Sequence, residues 1–254
     1  MKRWLIFVFG LVCYVVAVAT LLYAIGFVGN LWVPKSIDSA PSVPLAEALL
    51  IDGLVLALFA IQHSVMARPA FKRRWTRIIP KTAERSTYIL FASIALIVMF
   101  VFWEPLGGGV WDVHSPVARS LLYGGFAFGW VLVLVATFLI NHFDLFGLRQ
   151  IWLQLHGRPY IPLQFKTPML YRFVRHPLYV GLLFAFWSTP TMTLTHLVFA
   201  VATTAYILIA IQLEEQDLLA AHPEYARYRK SVPMLVPFLR WRYRRRITSS
   251  SHVL

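Results

Sequence analysis

Residues 175–215 read RHPLYVGLLFAFWSTPTMTLTHLVFAVATTAYILIAIQLEE, and how this stretch can sit in a bilayer decides the fold. Positions 176–213 contain no Lys, Arg, Asp or Glu. As one straight helix they would extend about 57 Å at ~1.5 Å per residue, roughly twice the thickness of a hydrocarbon core. That is too long for a single span. Thr189-Pro190-Thr191-Met192-Thr193 places a helix breaker between hydroxyl side chains near the middle. A helical hairpin over 177–213 is therefore expected, with a short arm near 178–189 and a longer one near 194–213. Both ends then return to one membrane face.

The rest of the chain has the same character. Apolar residues make up 59% of the 254 positions and charged residues only 14%, which excludes a soluble globular domain. Further uncharged runs occur at 4–34, 53–67, 86–103 and 120–143, each a candidate membrane segment. The first run is too long for a signal peptide and lacks a small-residue cleavage pattern, so it reads as an uncleaved span. The expected fold class is all-α: a polytopic membrane helical bundle of about four full spans plus the C-terminal hairpin.

The basic residues orient it. Lys and Arg gather at 2–3, 68–85, 149–175 and 227–246, and only Lys35 and Arg119 lie elsewhere. Loops rich in Lys and Arg stay in the cytoplasm. The segments 30–47 and 104–119 then face away from it, and both termini are cytosolic, as in a bacterial inner-membrane protein. Four spans alternate correctly, and the two-armed hairpin preserves the alternation. The chain reads as one domain over 1–254, with four helices in 1–140 and a catalytic part in 141–254 at the cytosolic face, containing the hairpin and a basic tail at 227–254. The lone Cys13 excludes a disulfide framework and a cysteine-rich metal site. The histidines show no closely spaced ligand set, so no metal is expected.

Three polar clusters fall at the cytosolic ends of the last hydrophobic segments: Asn141 to Gln150, Tyr171 to Gly181, and Glu214-Glu215-Gln216-Asp217. Hairpin closure makes positions 176 and 214 neighbours. Pro177 suits the first turn of a helix, whose free backbone donors favour an anion. Arg175 and His176 add positive charge and donors there, and Gly181 permits close approach of a ligand or a helix. Opposite stand three carboxylates in four residues, in a chain with only 11. A basic helix start facing an acidic cluster suits a zwitterion, with its carboxylate at the helix start and its ammonium at Glu214 or Glu215. These two point about 100° apart on a helix, so they are not expected to share one role.

Arg-His-Pro-x-Tyr-x-Gly at 175–181, Glu214-Glu215 after a hydrophobic hairpin, then Tyr225-x-x-Tyr228 and Val232-Pro233, resemble the isoprenylcysteine carboxyl methyltransferase family over roughly residues 160–240. The resemblance implies an integral-membrane methyltransferase that uses S-adenosylmethionine and releases S-adenosylhomocysteine, with Tyr171, Arg175, His176, Pro177, Tyr179, Gly181, Glu214 and Glu215 around the cofactor. The methionine part of that cofactor is a zwitterion of the kind the charges suit. Two strings depart from the common family pattern: Lys166-Thr167-Pro168-Met169-Leu170-Tyr171, and Asn141-His142-Phe143-Asp144-Leu145-Phe146-Gly147-Leu148-Arg149-Gln150. Both resemble the branch that methylates a small thiol, methanethiol, to dimethyl sulfide. Other acceptors compatible with the cofactor motifs are a lipid or an isoprenylated group. A third reading, a non-catalytic membrane factor of nitrogen-oxide metabolism, is disfavoured by the intact Arg-His-Pro motif and acidic pair.

For thiol methylation the nucleophile is the thiolate. His142 and Asp144 are the candidates for taking the proton, and Arg149 for stabilising the anion or anchoring the cofactor carboxylate. Each has a plainer reading: Arg175 as an interfacial basic residue, His142 and Asp144 as loop caps. Asp52, Gln62 and His63 in or beside the second span are ionisable or polar groups in lipid, which suggests function by default. The Arg240-Trp241-Arg242-Tyr243-Arg244-Arg245-Arg246 tail reads as an anchor to anionic lipid headgroups rather than a nucleic-acid site.

Overall fold

The computed structural model describes residues 2–237; the 240–246 tail lies outside the described residues. Five helices are long and apolar enough to cross a membrane: α1 (Lys2–Gly29), α2 (Leu45–Ala67), α4 (Glu84–Phe102, preceded by a 3₁₀ turn), α5 (Pro116–Ile140) and α9 (Leu194–Ala221). Shorter helices are α3 (Pro69–Trp75), α6 (His142–Leu145), α7 (Leu148–Leu155), α8 (Pro177–Trp187) and α10 (Tyr225–Ser231). The protein is an all-α polytopic membrane bundle.

Two of the helices begin before the uncharged runs that announce them. After Pro44 as its cap, α2 starts at Leu45, eight residues upstream of position 53, with Glu47 in the first turn where a negative charge suits the helix dipole. Asp52 is thereby carried inside the helix and buried, and its Oδ1 accepts the Glu104 backbone N–H at 2.8 Å. That contact ties the end of α4 to α2, a structural role. Pro116 likewise starts α5, with Ser115 Oγ accepting the Ala118 N–H at 3.5 Å.

The helices meet through small residues, as expected where lipid supplies no hydrophobic drive for association. On α1 the buried positions Gly10, Cys13, Ala17 and Thr20 form one seam at helical spacing. The closest crossing is between α5 and α8. A Cβ added at Gly181 would lie 2.7 Å from Gly129 O, and one added at Gly129 only 2.5 Å from the Ala185 nitrogen. Those backbones pack directly against each other.

The expected hairpin is present, with an unexpected turn. Eleven residues give α8 a length of about 16 Å, half of what a crossing needs. The distance is completed in extended chain: Thr191–Thr193 (β2) pairs antiparallel with Gly109–Asp112 (β1), and Val113 N–H donates to Pro190 O at 2.9 Å. β-branched threonines beside a proline favour strand over helix. Trp103, Phe27, Phe126, Phe186 and Phe199 fill the aromatic core beneath this ribbon.

Candidate active site

Hairpin closure brings the two charged motifs into contact at the basic face. Pro177 occupies the first turn of α8, and His176 precedes it as the cap residue with φ −127°. Glu214 and Glu215 lie nearly two turns before the end of α9. Arg175 Nε donates to Glu215 Oε1 at 2.6 Å, and His176 Nε2 lies 3.1 Å from the same oxygen. Arg229 Nε approaches the other carboxylate oxygen to 2.9 Å as an ion pair. Glu215 is thus surrounded by three cationic or donor groups, with its side chain only 2% exposed.

The same residues fasten the C-terminal segment. Arg175 also donates to the carbonyls of Arg229 and Val232, and the backbone N–H groups of Arg175 and His176 donate to Pro233 O and Met234 O. Tyr228 Oη donates to Tyr171 O at 2.6 Å, and burial pushes the Tyr228 hydroxyl up to about 12. Tyr225 packs fully buried beside Glu215; burial first, then that carboxylate, hold its hydroxyl protonated. Arg229 has no obvious signal in the sequence, since its residue type and position are those of any basic surface helix.

Glu214 is different. Its side chain is 45% exposed, Tyr179 Oη donates to it at 3.2 Å, and His176 Nδ1 is 3.9 Å away. The rotation between adjacent helical positions separates a buried, charge-paired carboxylate from an open one. Gly181 faces α5, so its missing side chain serves helix packing rather than ligand approach.

The 141–150 string forms a second cluster. His142 is buried, with Nδ1 3.0 Å from Thr137 Oγ1 and Nε2 3.0 Å from Tyr14 Oη. Thr137 donates its own proton to Leu134 O, so it accepts from Nδ1–H, and Nε2 accepts from Tyr14. Phe138 stacks on the ring at 4.4 Å. Burial holds His142 below its ordinary value, and neither ring nitrogen is free. The expectation that His142 takes a thiol proton therefore meets an imidazole engaged in packing the α5–α6 junction.

Asp144 keeps an open side. Its Oδ1 accepts from Arg149 at 2.8 Å and its Oδ2 from Tyr160 Oη at 3.3 Å. Arg149 also donates to Ile161 O and lies 5.2 Å from the Tyr160 ring centroid, so it orients Asp144 and the 158–165 segment together. Asp144 lines a cavity of about 460 Å³ that also reaches Lys72, Lys81, Glu84, Arg85 and Gln150. Among the described residues no hydrogen bond or ion pair joins this cluster to the Glu214 cluster directly. Lys72 links them: burial and the charge of Arg85 push its ammonium below the ordinary value, with Glu84 and Asp217 opposing that, so α9's acidic end lies within electrostatic reach of the cavity. His63 faces Tyr88, whose Oη is 2.9 Å from Nε2, with Phe59 stacked behind it. Among the described residues no group of His, Cys, Asp and Glu could hold a metal ion.

The chain is similar to proteins from several bacteria. It is 55% identical to Methanethiol S-methyltransferase of Crocosphaera subtropica, covering 94% of each chain. It is 48% identical to Methanethiol S-methyltransferase of Mycobacterium tuberculosis, covering 94% of this chain and 98% of that one. A looser likeness, 31% identity over 66% of this chain and 61% of the relative, connects it to Nurim of Xenopus laevis. No protein-family model matches the chain, and no solved structure does. With near-complete mutual coverage at about half identity, and with the Arg-His-Pro and Glu-Glu motifs closed on one another, the chain belongs to the methanethiol S-methyltransferase family.

Proposed function

We propose that this protein is an S-adenosylmethionine-dependent methyltransferase that converts methanethiol to dimethyl sulfide at the cytosolic face of a bacterial inner membrane. The reading is carried by the division of labour between Glu214 and Glu215: one carboxylate is buried and charge-paired with Arg175, His176 and Arg229, the other is open and oriented by Tyr179. It is supported by the names of relatives at 48–55% identity.

The fit to the cofactor rests on that open carboxylate. Glu214 would receive the ammonium of the methionine part, and the first-turn amides of α8 its carboxylate, since no side chain caps that helix start. Arg175, which the sequence sets beside that helix start, is committed to Glu215 and two backbone carbonyls, and Arg149, the sequence's candidate for anchoring the cofactor carboxylate, to Asp144 and Ile161 O. Tyr171, His176 and Pro177 are buried in the segment that leads into α8. S-adenosylmethionine, when bound, supplies a methyl group on a cationic sulfur.

The acceptor must arrive as thiolate. Asp144 is the group that takes the proton, held in orientation by Arg149 and Tyr160 and opening on the cavity from which solvent removes it. Thiolate and sulfonium carry opposite charges that would be lost in the transfer, so exclusion of water from the reacting pair would favour the charge-dispersed transition state over the separated ions. Positioning of acceptor and cofactor by these residues would supply much of the remaining barrier reduction. A small apolar thiol reaches such a site through lipid as readily as through water.

The test is incubation of purified protein with methyl-labelled S-adenosylmethionine and a panel of thiols, lipids and carboxylates, with Glu214→Ala as control. Label in dimethyl sulfide, lost in the control, is expected. Transfer to a lipid alone would overturn the thiol assignment, and absence of cofactor binding would overturn the methyltransferase reading of the site.

A further inference from the structure

Methanethiol has two heavy atoms and no charge, yet the cavity beside Asp144 is neither small nor apolar. Its volume, about 460 Å³, falls in the range that holds ligands of many atoms. Lys72, Lys81 and Arg85 project to its walls from α3, the following loop and the start of α4. Of the two carboxylates present, Asp144 is already matched by Arg149 at 2.8 Å, and Glu84 meets Lys72 only at 4.0 Å. Arg85 spends its Nε on Leu145 O, and neither Arg85 nor Lys81 has a carboxylate partner among the described residues. Gln150, itself buried, has an Oε1 without a partner there. Cations outnumber carboxylates around a half-open cleft that already contains the proposed base.

We propose that this chamber admits a second class of methyl acceptor: a short thiol carrying an anionic group, of the mercaptocarboxylate type, whose carboxylate pairs with Lys72 and Lys81 while its sulfur lies toward Asp144. The inference rests on the proposed thiol methylation. In the step, the S–H proton passes to Asp144 and the sulfur lone pair forms the new bond to the methyl carbon. The bond from that carbon to the sulfonium breaks, its electron pair returning to the cofactor sulfur as a neutral thioether. The acceptor's carboxylate is unchanged and leaves with the methylated product, and Asp144 returns its proton to water at the chamber mouth.

The experiment compares methanethiol, 3-mercaptopropionate and its neutral isostere 3-mercaptopropanamide as acceptors for the purified full chain at neutral pH. The expected kcat/KM for the acid exceeds that for the amide by about fivefold, the effect of one partly solvated ion pair. That preference should shrink in 0.5 M salt, measured on the unaltered protein, because exposed charges are screened. It should also shrink toward unity in Lys72→Met/Lys81→Met, and partly in Lys81→Met alone, whose surface position makes misfolding a poor explanation. An amide used as well as the acid, or a preference insensitive to salt, overturns the proposal. So does a variant that raises the KM for S-adenosylmethionine with the acid-to-amide ratio unchanged, since the cations would then serve the cofactor. The methanethiol arm keeps the two ideas apart: its failure refutes the thiol methylation itself, whereas only the acid-to-amide ratio refutes the chamber's selectivity.

Discussion

Glu214 and Glu215 are adjacent in sequence, identical in chemistry and opposite in environment, so replacing each by Gln gives a sharp test. Glu215 is buried and offsets Arg175, His176 and Arg229. Removing its charge leaves Arg175, itself only 10% exposed, without a counter-charge. Breaking a buried pair by removing one partner costs about 3–5 kcal/mol. Arg229 is largely solvated, so its share is small, and the lower limit of about 3 kcal/mol is appropriate. For a chain of this size that corresponds to a fall of roughly 6–12 °C in Tm. Glu214→Gln should shift Tm by less than about 2 °C, because an exposed carboxylate with one tyrosine partner contributes little to stability. Its effect belongs in cofactor affinity: losing a charge-assisted contact of about 1.5–3 kcal/mol weakens binding by roughly 10- to 150-fold. Detergent-solubilised protein, assayed by thermal melting and by titration with S-adenosylhomocysteine, reads both quantities on the same samples. The reasoning is refuted if the two variants melt alike, or if Glu215→Gln keeps its Tm and loses the ligand.

The remaining predictions concern other parts of the site. Gly181→Ala should lower Tm by several degrees, since the new methyl would lie 2.7 Å from a backbone oxygen of α5, whereas Gly53→Ala, with nothing within 4 Å, should not lower it. Asp144→Asn should leave S-adenosylhomocysteine affinity within about twofold and slow methanethiol turnover at least 100-fold, the usual contribution of a positioned base; unchanged turnover removes Asp144 from the mechanism. His142 has a folded pKa below its unfolded value because burial disfavours the charged ring, so its stabilising contribution is complete above about pH 6.5 and is lost as pH falls below that. His142→Gln should therefore flatten the dependence of Tm on pH between about 7 and 5 relative to the unaltered protein, and an identical slope would show that folded His142 takes up its proton as readily as the unfolded chain does, against a burial-depressed ring.

Much of this architecture was legible in the residues because lipid imposes a length rule. The uncharged runs located all five long helices, and the 38-residue interval between His176 and Leu213 had to fold back at Thr189–Thr193. What the runs misplaced were helix starts. Leu45 and Pro116 begin helices upstream of the charge-free window, and a carboxylate such as Asp52 can sit inside a span once a backbone N–H from another helix meets it. The two-stranded ribbon at the hairpin turn was not foreseen, because its partner strand lies some eighty residues away.

At the site, sequence determined which residue types gather: adjacency across a hairpin follows from closure, so Arg175-His176 and Glu214-Glu215 had to meet. Only the tertiary structure decided what each one does there. Side-chain direction on α9 buries Glu215 and opens Glu214, a distinction two identical letters cannot carry. Arg229, on a helix folded back from beyond the hairpin, completes the clamp, and Tyr14 from the first span engages a nitrogen of His142. These roles depend on orientation and on contacts between distant segments, which arise when the helices pack, whereas spans and breakers are set by local hydrophobicity and backbone chemistry that every stretch of chain carries by itself.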